Sequence, residues 1–427
     1  MVVIGGIIGS GIFVNPALVA RQLDSPWLVL AAWAVGGGVA LIGAFAYAEL
    51  GRLLPKAGGQ YVYLGQAWHP LVGFLYGWAL LFMIESGAMA AVSLIFADYV
   101  MRFTGTAFIS AKALAIITIV VLSEINYLGV KAGSRVLNVF VVLKVAALAV
   151  LIVFAWFQPG APAWLTHARV DSSPSGPLAF GAALIPILFA YCGWQTVNYV
   201  AEEMRDPERT LPRSLLAGTV AVVAIYLLVN VAYLRTLGLE GLAGTSTPAA
   251  DTAGVWFGAS GERFVAAAIA ISTFGFLNHA VLAPTRVYYA MAADGAFIPA
   301  LARLHPKYQT PGDAITLQSA LAITLLLLPG DYRDLLGTVV FADWIFFGLT
   351  VGGLFILRPR LGQASGFRTP GYPWLPALFV LVAAVVVFSA IREAPTRSLI
   401  GAGLLASGIP VYYLFKRFGS GPPAQAR

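Results

Sequence analysis

The sequence predicts an all-α integral membrane protein built from twelve transmembrane helices. Three observations predict it. First, 59% of the 427 residues are hydrophobic and only 11% charged, against roughly 45–50% and about 25% in soluble domains, and the mean hydropathy is +0.83. Second, apolar runs of about 20 residues, the length that crosses a bilayer, follow one another almost without interruption. Third, the links between them are too short to hold a second domain. An ordinary cytosolic enzyme, a disordered chain and a nucleic-acid-binding chain are excluded. The net charge of +7 is read as a membrane orientation signal before it is read as a patch for an acidic partner. The single cysteine, Cys192, rules out a disulfide framework and a Cys-based metal site.

The spans fall near 2–21, 26–50, 71–101, 110–128, 132–157, 178–202, 212–237, 262–292, 313–329, 334–357, 373–391 and 398–416. The runs at 71–101 and 262–292 exceed the bilayer thickness and predict tilt or extension into water. The run at 110–128 carries Glu124, and the run at 313–329 is short and starts polar. The opening MVVIGGIIGSGIF has no basic n-region and no cleavage site, so no signal peptide is expected; either the start is trimmed or the first span begins abruptly. The loops near 158–177 and 238–261, rich in Pro, Gly, Ser and Thr, read as surface connections. The stretch 300–314 has room for a short interfacial helix that Pro311 stops, and the tail 418–427 reads as disordered. An even count puts both termini on one side. Sixteen Lys and Arg fall on that side and nine on the other, so the positive-inside rule predicts cytoplasmic termini in a cell (inner) membrane.

Two spans are interrupted at matching places. The first holds Gly5, Gly6, Gly9, Ser10 and Gly11 within seven residues. Glycine also serves close helix packing, but GSG in mid-membrane favours unwinding. The sixth holds Pro186 and then FAYCGWQ (189–195), where Gly193 and Gln195 break an apolar run. Spans one and six are equivalent positions in two halves of five spans, 1–157 and 178–357, followed by two appended helices over 373–416. Because five is odd, the second half enters from the opposite face, which makes the repeats inverted. Paired interruptions of this kind point to a transporter site at mid-membrane. An unwound segment offers backbone N–H groups and a positive dipole end to a carboxylate, and free carbonyls to an ammonium. A zwitterion with its charges on adjacent carbons fits between two such breaks. That is an α-amino acid.

Five strings carry a wider likeness: GGIIGSGIFVNP (5–16), AYAELGRLLPKAGGQYVYLGQAW (46–68), LFAYCGWQTVNYVAEEMRDPERTLPRS (188–214), FGFLNHAVLAPTRVYYAMAADG (274–295) and HPKYQTP (305–311). With them the chain resembles the amino acid–polyamine–organocation (APC) superfamily, most closely its L-amino-acid transporter (LAT) family. The match runs through spans one to ten in order and is specific as a set. It implies the leucine-transporter-like fold, five plus five inverted spans with two C-terminal helices. It also implies a sodium-independent secondary transporter of neutral L-amino acids that exchanges substrates by alternating access. Position by position, the resemblance puts the substrate carboxylate on the N–H groups of Ser10 and Gly11 and the amine on carbonyls of Ile7, Phe189 and Cys192. Gly9 and Gln195 belong to the same site, and Phe189 acts as an aromatic lid. Two departures stand out. Cys192 replaces a usual Gly, which narrows the pocket toward small to medium side chains such as alanine or serine. The half-helix before GSG lacks several residues that relatives carry, which bears on the inner gate. Vertebrate members pair with a heavy subunit through a cysteine in the loop after span three; the loop near 102–111 has none, so no disulfide-linked heavy subunit is expected.

Ionisable residues inside a bilayer are functional candidates by default. Lys144, at the middle of span five, is on one reading a snorkelling or structurally paired lysine. On the other, the resemblance implies that it stands where sodium-coupled relatives bind an ion, its ammonium donating to carbonyls near Gly9 and to the hydroxyls of Ser272 and Thr273. A fixed surrogate cation gives exchange; a lysine that releases its proton gives proton-coupled symport. A sodium-coupled symporter of the same fold is the rival that Lys144 argues against. Glu85 reads as a structurally paired or path-lining residue ahead of a direct substrate contact, and Glu124 and Asp343, placed nearer span ends, as capped or solvated groups. Asn278 and His279 can line the path, although a lone His more often serves structure. Trp344 is a gate aromatic or an interfacial anchor. The cluster Glu202, Glu203, Arg205, Asp206, Glu208 and Arg209 is a solvated loop or a latch on one state. Four His, one Cys and scattered carboxylates have no metal-ligand spacing or triad arrangement. No GxxxxGK string and no charge ring occurs. An enzyme, an ATP-driven pump, a channel and a cofactor are not expected.

Overall fold

The structure, a computed structural model, describes residues 1–105, 109–157, 176–328, 332–361, 366–393 and 395–418. Residues 158–175 of the loop expected over 158–177, and 419–427 of the tail expected over 418–427, lie outside the described residues. The first span is two half-helices, α1 (Val2–Ile7) and α2 (Gly11–Gln22), followed by α3 (Pro26–Leu53). Pro26 opens α3 where its missing N–H has no helical partner to lose. A short helix α4 (Gln60–Ala67) precedes α5 (Pro70–Ala79), a π-helical turn Leu80–Ile84 and α6 (Glu85–Thr104), which stops at Gly105 in the left-handed conformation. The hydroxyl of Ser110 accepts from Ala113 N–H at 3.2 Å and caps α7 (Ala111–Tyr127); α8 (Val130–Phe157) follows. Next come α9 (Pro177–Ala190) and a 3₁₀ segment Trp194–Glu203. The remainder is α10 (Pro207–Gly244), α11 (Pro248–Phe257), α12 (Ala259–Leu282), α13 (Thr285–Ala293), α14 (Gly312–Leu327), α15 (Tyr332–Leu361), α16 (Trp374–Glu393) and α17 (Pro395–Phe418).

Among the described residues nine helical stretches are long and apolar enough to cross a membrane. They are built from α3, α5 with α6, α8, α9 with its 3₁₀ segment, α10, α12 with α13, α15, α16 and α17. The other three expected spans take different forms. The first is broken, α7 has 17 residues, and α14 is apolar but only 16 residues long. The loop expected over 238–261 is largely helical: α10 continues through a kink at Gly238 to Gly244, and α11 packs Ala249, Thr252 and Ala253 inward. Its small residues allow that close packing, which their turn-like composition hides. The interfacial helix expected in 300–314 shrinks to one 3₁₀ turn, Pro299–Ala302, and α4 is a helix that the span pattern does not contain.

Burial divides the helices into centre and periphery. Buried residues make up 78% of the most apolar window of Ser260–Ala293 and 72% of that of Pro70–Thr104, against 28% for Leu137–Phe157, 22% for Trp374–Arg392 and 17% for Pro395–Arg417. Outward faces such as Leu381, Leu399 and Ile400 carry apolar side chains that water would disfavour and lipid accepts. At the centre α2 packs on α9, α3 on α10 and α6 on α12, and α15 carries the peripheral α16. Buried Glu49 of α3 pairs with Arg358 of α15 at 3.3 Å and accepts from Thr369 N–H at 2.7 Å, tying the connection before α16 to both helices.

Candidate functional site

The two broken spans lie side by side. A Cβ added to Gly6 would come within 2.6 Å of the Gly193 carbonyl oxygen, and one added to Gly193 (φ +107) would enter the Gly6 carbonyl. Glycine is therefore required on both sides of the contact. Asn15 of α2 donates to the Pro186 carbonyl of α9 at 2.7 Å. The Tyr226 hydroxyl of α10 reaches the Ile7 carbonyl at 3.2 Å and the Ala190 carbonyl at 3.3 Å, so one side chain holds the ends of both half-helices. Gln195 closes the second break on itself, its Oε1 accepting from Gly193 N–H at 3.0 Å. The Ser10 and Gly11 N–H groups stand at the start of α2 and, among the described residues, donate to no backbone carbonyl. Such groups and the dipole behind them form an anion site.

A cavity opens between the breaks. Ile7, Gly9, Ser10, Gly11, Phe189, Cys192 and Gln195, the substrate residues read from the sequence, all line it. Ala88, Phe276 and Thr196 line it as well, and none of these was singled out in the sequence. The Phe189 carbonyl accepts from Cys192 N–H at 3.1 Å, and the Cys192 thiol donates to Leu188 O at 3.2 Å. Glu85 also faces the cavity. It follows directly on the π turn Leu80–Ile84, where Ser86 Oγ reaches back to Leu81 O at 2.5 Å; such turns recur at functional sites.

Asp343 requires a correction. It is not solvated near a span end but lines the same cavity, 7% exposed. It sits well inside the 30-residue α15, which packs on α6, and that packing, not its distance from a helix end, dries it. His279 also lines the cavity, its Nε2 bonded to Thr196 Oγ1 at 2.8 Å while Nδ1 has no partner. Asn278 lies off the cavity and accepts from Asn126 Nδ2 at 2.9 Å. Trp344 is not among the residues that line the cavity: it is 3% exposed and stacks on Phe379 with ring centroids 5.7 Å apart.

Lys144 is fully buried behind the first break. Its ammonium donates to Gly5 O at 3.0 Å and to Ile8 O at 2.5 Å. Ser272 of α12 donates to Gly9 O at 3.1 Å. Thr273 donates instead to Ile269 and Ala270 of its own helix. Lys144 and Ser272 thus hold the unwound carbonyls without bonding each other, and α8 and α12 are both fastened to the break. Outside the site, Glu203 pairs with Arg286 of α13 at 2.8 Å and Glu202 accepts from Ala57 N–H at 3.1 Å, so part of the charged cluster fastens the end of the 3₁₀ segment to its neighbours.

A helical bundle whose two interrupted helices meet at an internal cavity defines a membrane transporter. No group of His, Cys, Asp and Glu able to hold a metal occurs among the described residues. The chain belongs to the amino acid permease family of the APC superfamily, whose family model matches residues 1–409. It is 33% identical over 420 residues to the serine/threonine exchanger SteT of Bacillus subtilis (strain 168), covering 97% of this chain and 94% of that one. It is 33% identical to the human b(0,+)-type amino acid transporter 1, covering 98% and 86%. Identity to the human large neutral amino acids transporter small subunit 2 is 31%, covering 97% and 78%. The chain is an amino acid transporter, not an enzyme.

Proposed function

We propose that the chain is a sodium-independent exchanger of L-α-amino acids with small to medium side chains, working by alternating access between two inverted five-helix repeats, 1–157 and 178–357, in a twelve-span leucine-transporter-like fold. One observation carries this: Ser10 and Gly11, whose N–H groups donate to no backbone carbonyl among the described residues, and residues of both breaks line one cavity, an arrangement that suits the two charges of an α-amino acid. The Lys144 side chain, bonded to Gly5 O and Ile8 O, gives the break a donor from within the protein, which supports independence from sodium. The exchanger SteT, similar over nearly the whole chain, supports exchange. Termini on the cytoplasmic side of the cell membrane follow from the Lys and Arg bias, and a stand-alone carrier from the single cysteine, Cys192, which sits at the cavity.

Uptake into proteoliposomes tests the proposal. Uptake should require amino acid inside the vesicles and ignore an imposed sodium gradient. Concentrative uptake driven by sodium, or full uptake into empty vesicles, would overturn it; acceleration by an inward proton gradient would mark a proton symporter. Pocket width is tested separately. Cys192→Gly removes a thiomethyl group from the lining and should shift preference toward longer side chains by roughly 1–3 kcal/mol, read as relative competition by alanine and leucine.

A further inference from the structure

We propose that this site takes amino acids whose side chain carries a second positive charge, with Glu85 and Asp343 as the acceptors for that distal ammonium. The proposal rests on the amino-acid-site reading above and names the substrate class within it. Both carboxylates line the cavity and each is only 7% exposed. Among the described residues neither makes a hydrogen bond or an ion pair with the protein, and none of the lining residues is Lys or Arg. The nearest buried ammonium, that of Lys144, is committed to Gly5 O and Ile8 O. Two carboxylates in a dry membrane interior are costly unless a proton or another cation meets them. Among the described residues that line the cavity there is no Lys or Arg to meet them.

The division of labour inside the cavity says where such a cation belongs. The α-carboxylate and α-amine are served by backbone from the two breaks. Glu85 and Asp343 come instead from α6 and α15, helices that pack on each other and contribute side chains only, so they meet the variable part of the substrate. A neutral side chain would leave both carboxylates unmatched, and an acidic one would add a third negative charge. The π turn ahead of Glu85 shifts the register of α6 at the residue concerned, at a cost in regular helix hydrogen bonding that a packing residue does not need. The cavity measures about 70 Å³; at 10–15 Å³ per water-sized group it holds roughly five to seven such groups, which favours a short reach. Even 2,4-diaminobutyrate slightly exceeds that count, so the shortest diamino acid suits the cavity best, ornithine less well and arginine least.

Thermostability titrations of the purified full-length chain with alanine, 2,4-diaminobutyrate, ornithine and arginine test this, since a ligand that binds the folded state raises its melting temperature in proportion to occupancy. Ornithine or diaminobutyrate should bind at least tenfold tighter than alanine. Glu85→Gln and Asp343→Asn keep shape and remove charge, and each should lower the ratio of ornithine to alanine affinity about tenfold or more. Alanine binding tighter than both diamino acids, or a ratio that neither variant moves, overturns the proposal while the amino-acid site stands. The proposal also falls if proteoliposome uptake of alanine is driven by a pH gradient that both variants abolish, because the carboxylates would then carry protons. If no α-amino acid stabilises the chain, the site reading itself fails and the proposal with it.

Discussion

Gly11→Val should abolish amino-acid binding. A Cβ at position 11 would already stand 3.0 Å from both Cα and Cβ of Ala190, so even alanine there forces α2 and α9 apart, and the two further methyl groups of valine have no room. The displaced atoms belong to the N–H groups expected to receive the substrate carboxylate. A hydrogen bond to a charged group is worth about 1.5–3 kcal/mol, or roughly ten- to a hundredfold in affinity. Losing both donors should take alanine binding below detection, with Gly11→Ala intermediate. Gly181→Ala, in the same bundle but with no neighbour within 4 Å of the added atom, should bind and express like the unmodified chain. The check is a titration of all three with alanine and with ethylamine, its decarboxylated counterpart. Undiminished alanine affinity in Gly11→Val, or tight binding of ethylamine, sinks the carboxylate placement.

Lys144→Met should cripple turnover more than it weakens binding. Methionine fills most of the space but donates nothing, so Gly5 O and Ile8 O lose the ammonium that fastens them to α8. Two charge-assisted bonds at a buried site amount to about 3 kcal/mol or more. That loss falls on the unwound segment that must change partners in every cycle, leaving Ser272 at Gly9 O and Tyr226 at Ile7 O to hold it. Exchange rate should fall more than tenfold while the half-saturating amino-acid concentration moves less. Adding sodium to the unmodified chain should change neither. Lys144→Ala, which also leaves a cavity, should in addition lower thermal stability. If Lys144→Met exchanges at the normal rate, or if sodium drives uptake in the unmodified chain, the ammonium is not the cation of this break.

Much of the architecture was legible because it is local. Span positions follow from runs of apolar residues that hydropathy reads directly, and most match helices within a few residues. Both breaks were legible for the same reason: Gly9, Ser10 and Gly11, and Pro186 with Gly193, weaken helix over a single turn. What the pattern did not hold was anything short or amphipathic. Helix α4 and helix α11 neither span nor alternate clearly, and the small residues of α11 resemble those of a loop. The partners of Lys144 were half legible: carbonyls near Gly9 were, and Ile8 O is one, but the choice of Gly5 O over the hydroxyls of Ser272 and Thr273 was not, because that choice turns on how far α8 sits from the unwound backbone.

By itself, the sequence determined that the chain lives in a membrane, that two helices are broken in matching positions, and that the broken backbone suits the two charges of an amino acid. These depend on composition and on residue preferences within a few positions of each other. Only the tertiary structure decided what faces those charges. Glu85 and Asp343 are 258 positions apart and meet at one cavity because α6 and α15 pack together; His279 joins them from α12, and Tyr226 ties both breaks to α10. The physical reason is burial. Whether a carboxylate is solvated or dry, and so whether it demands a cation, is set by the helices that surround it, and no spacing along the chain records that.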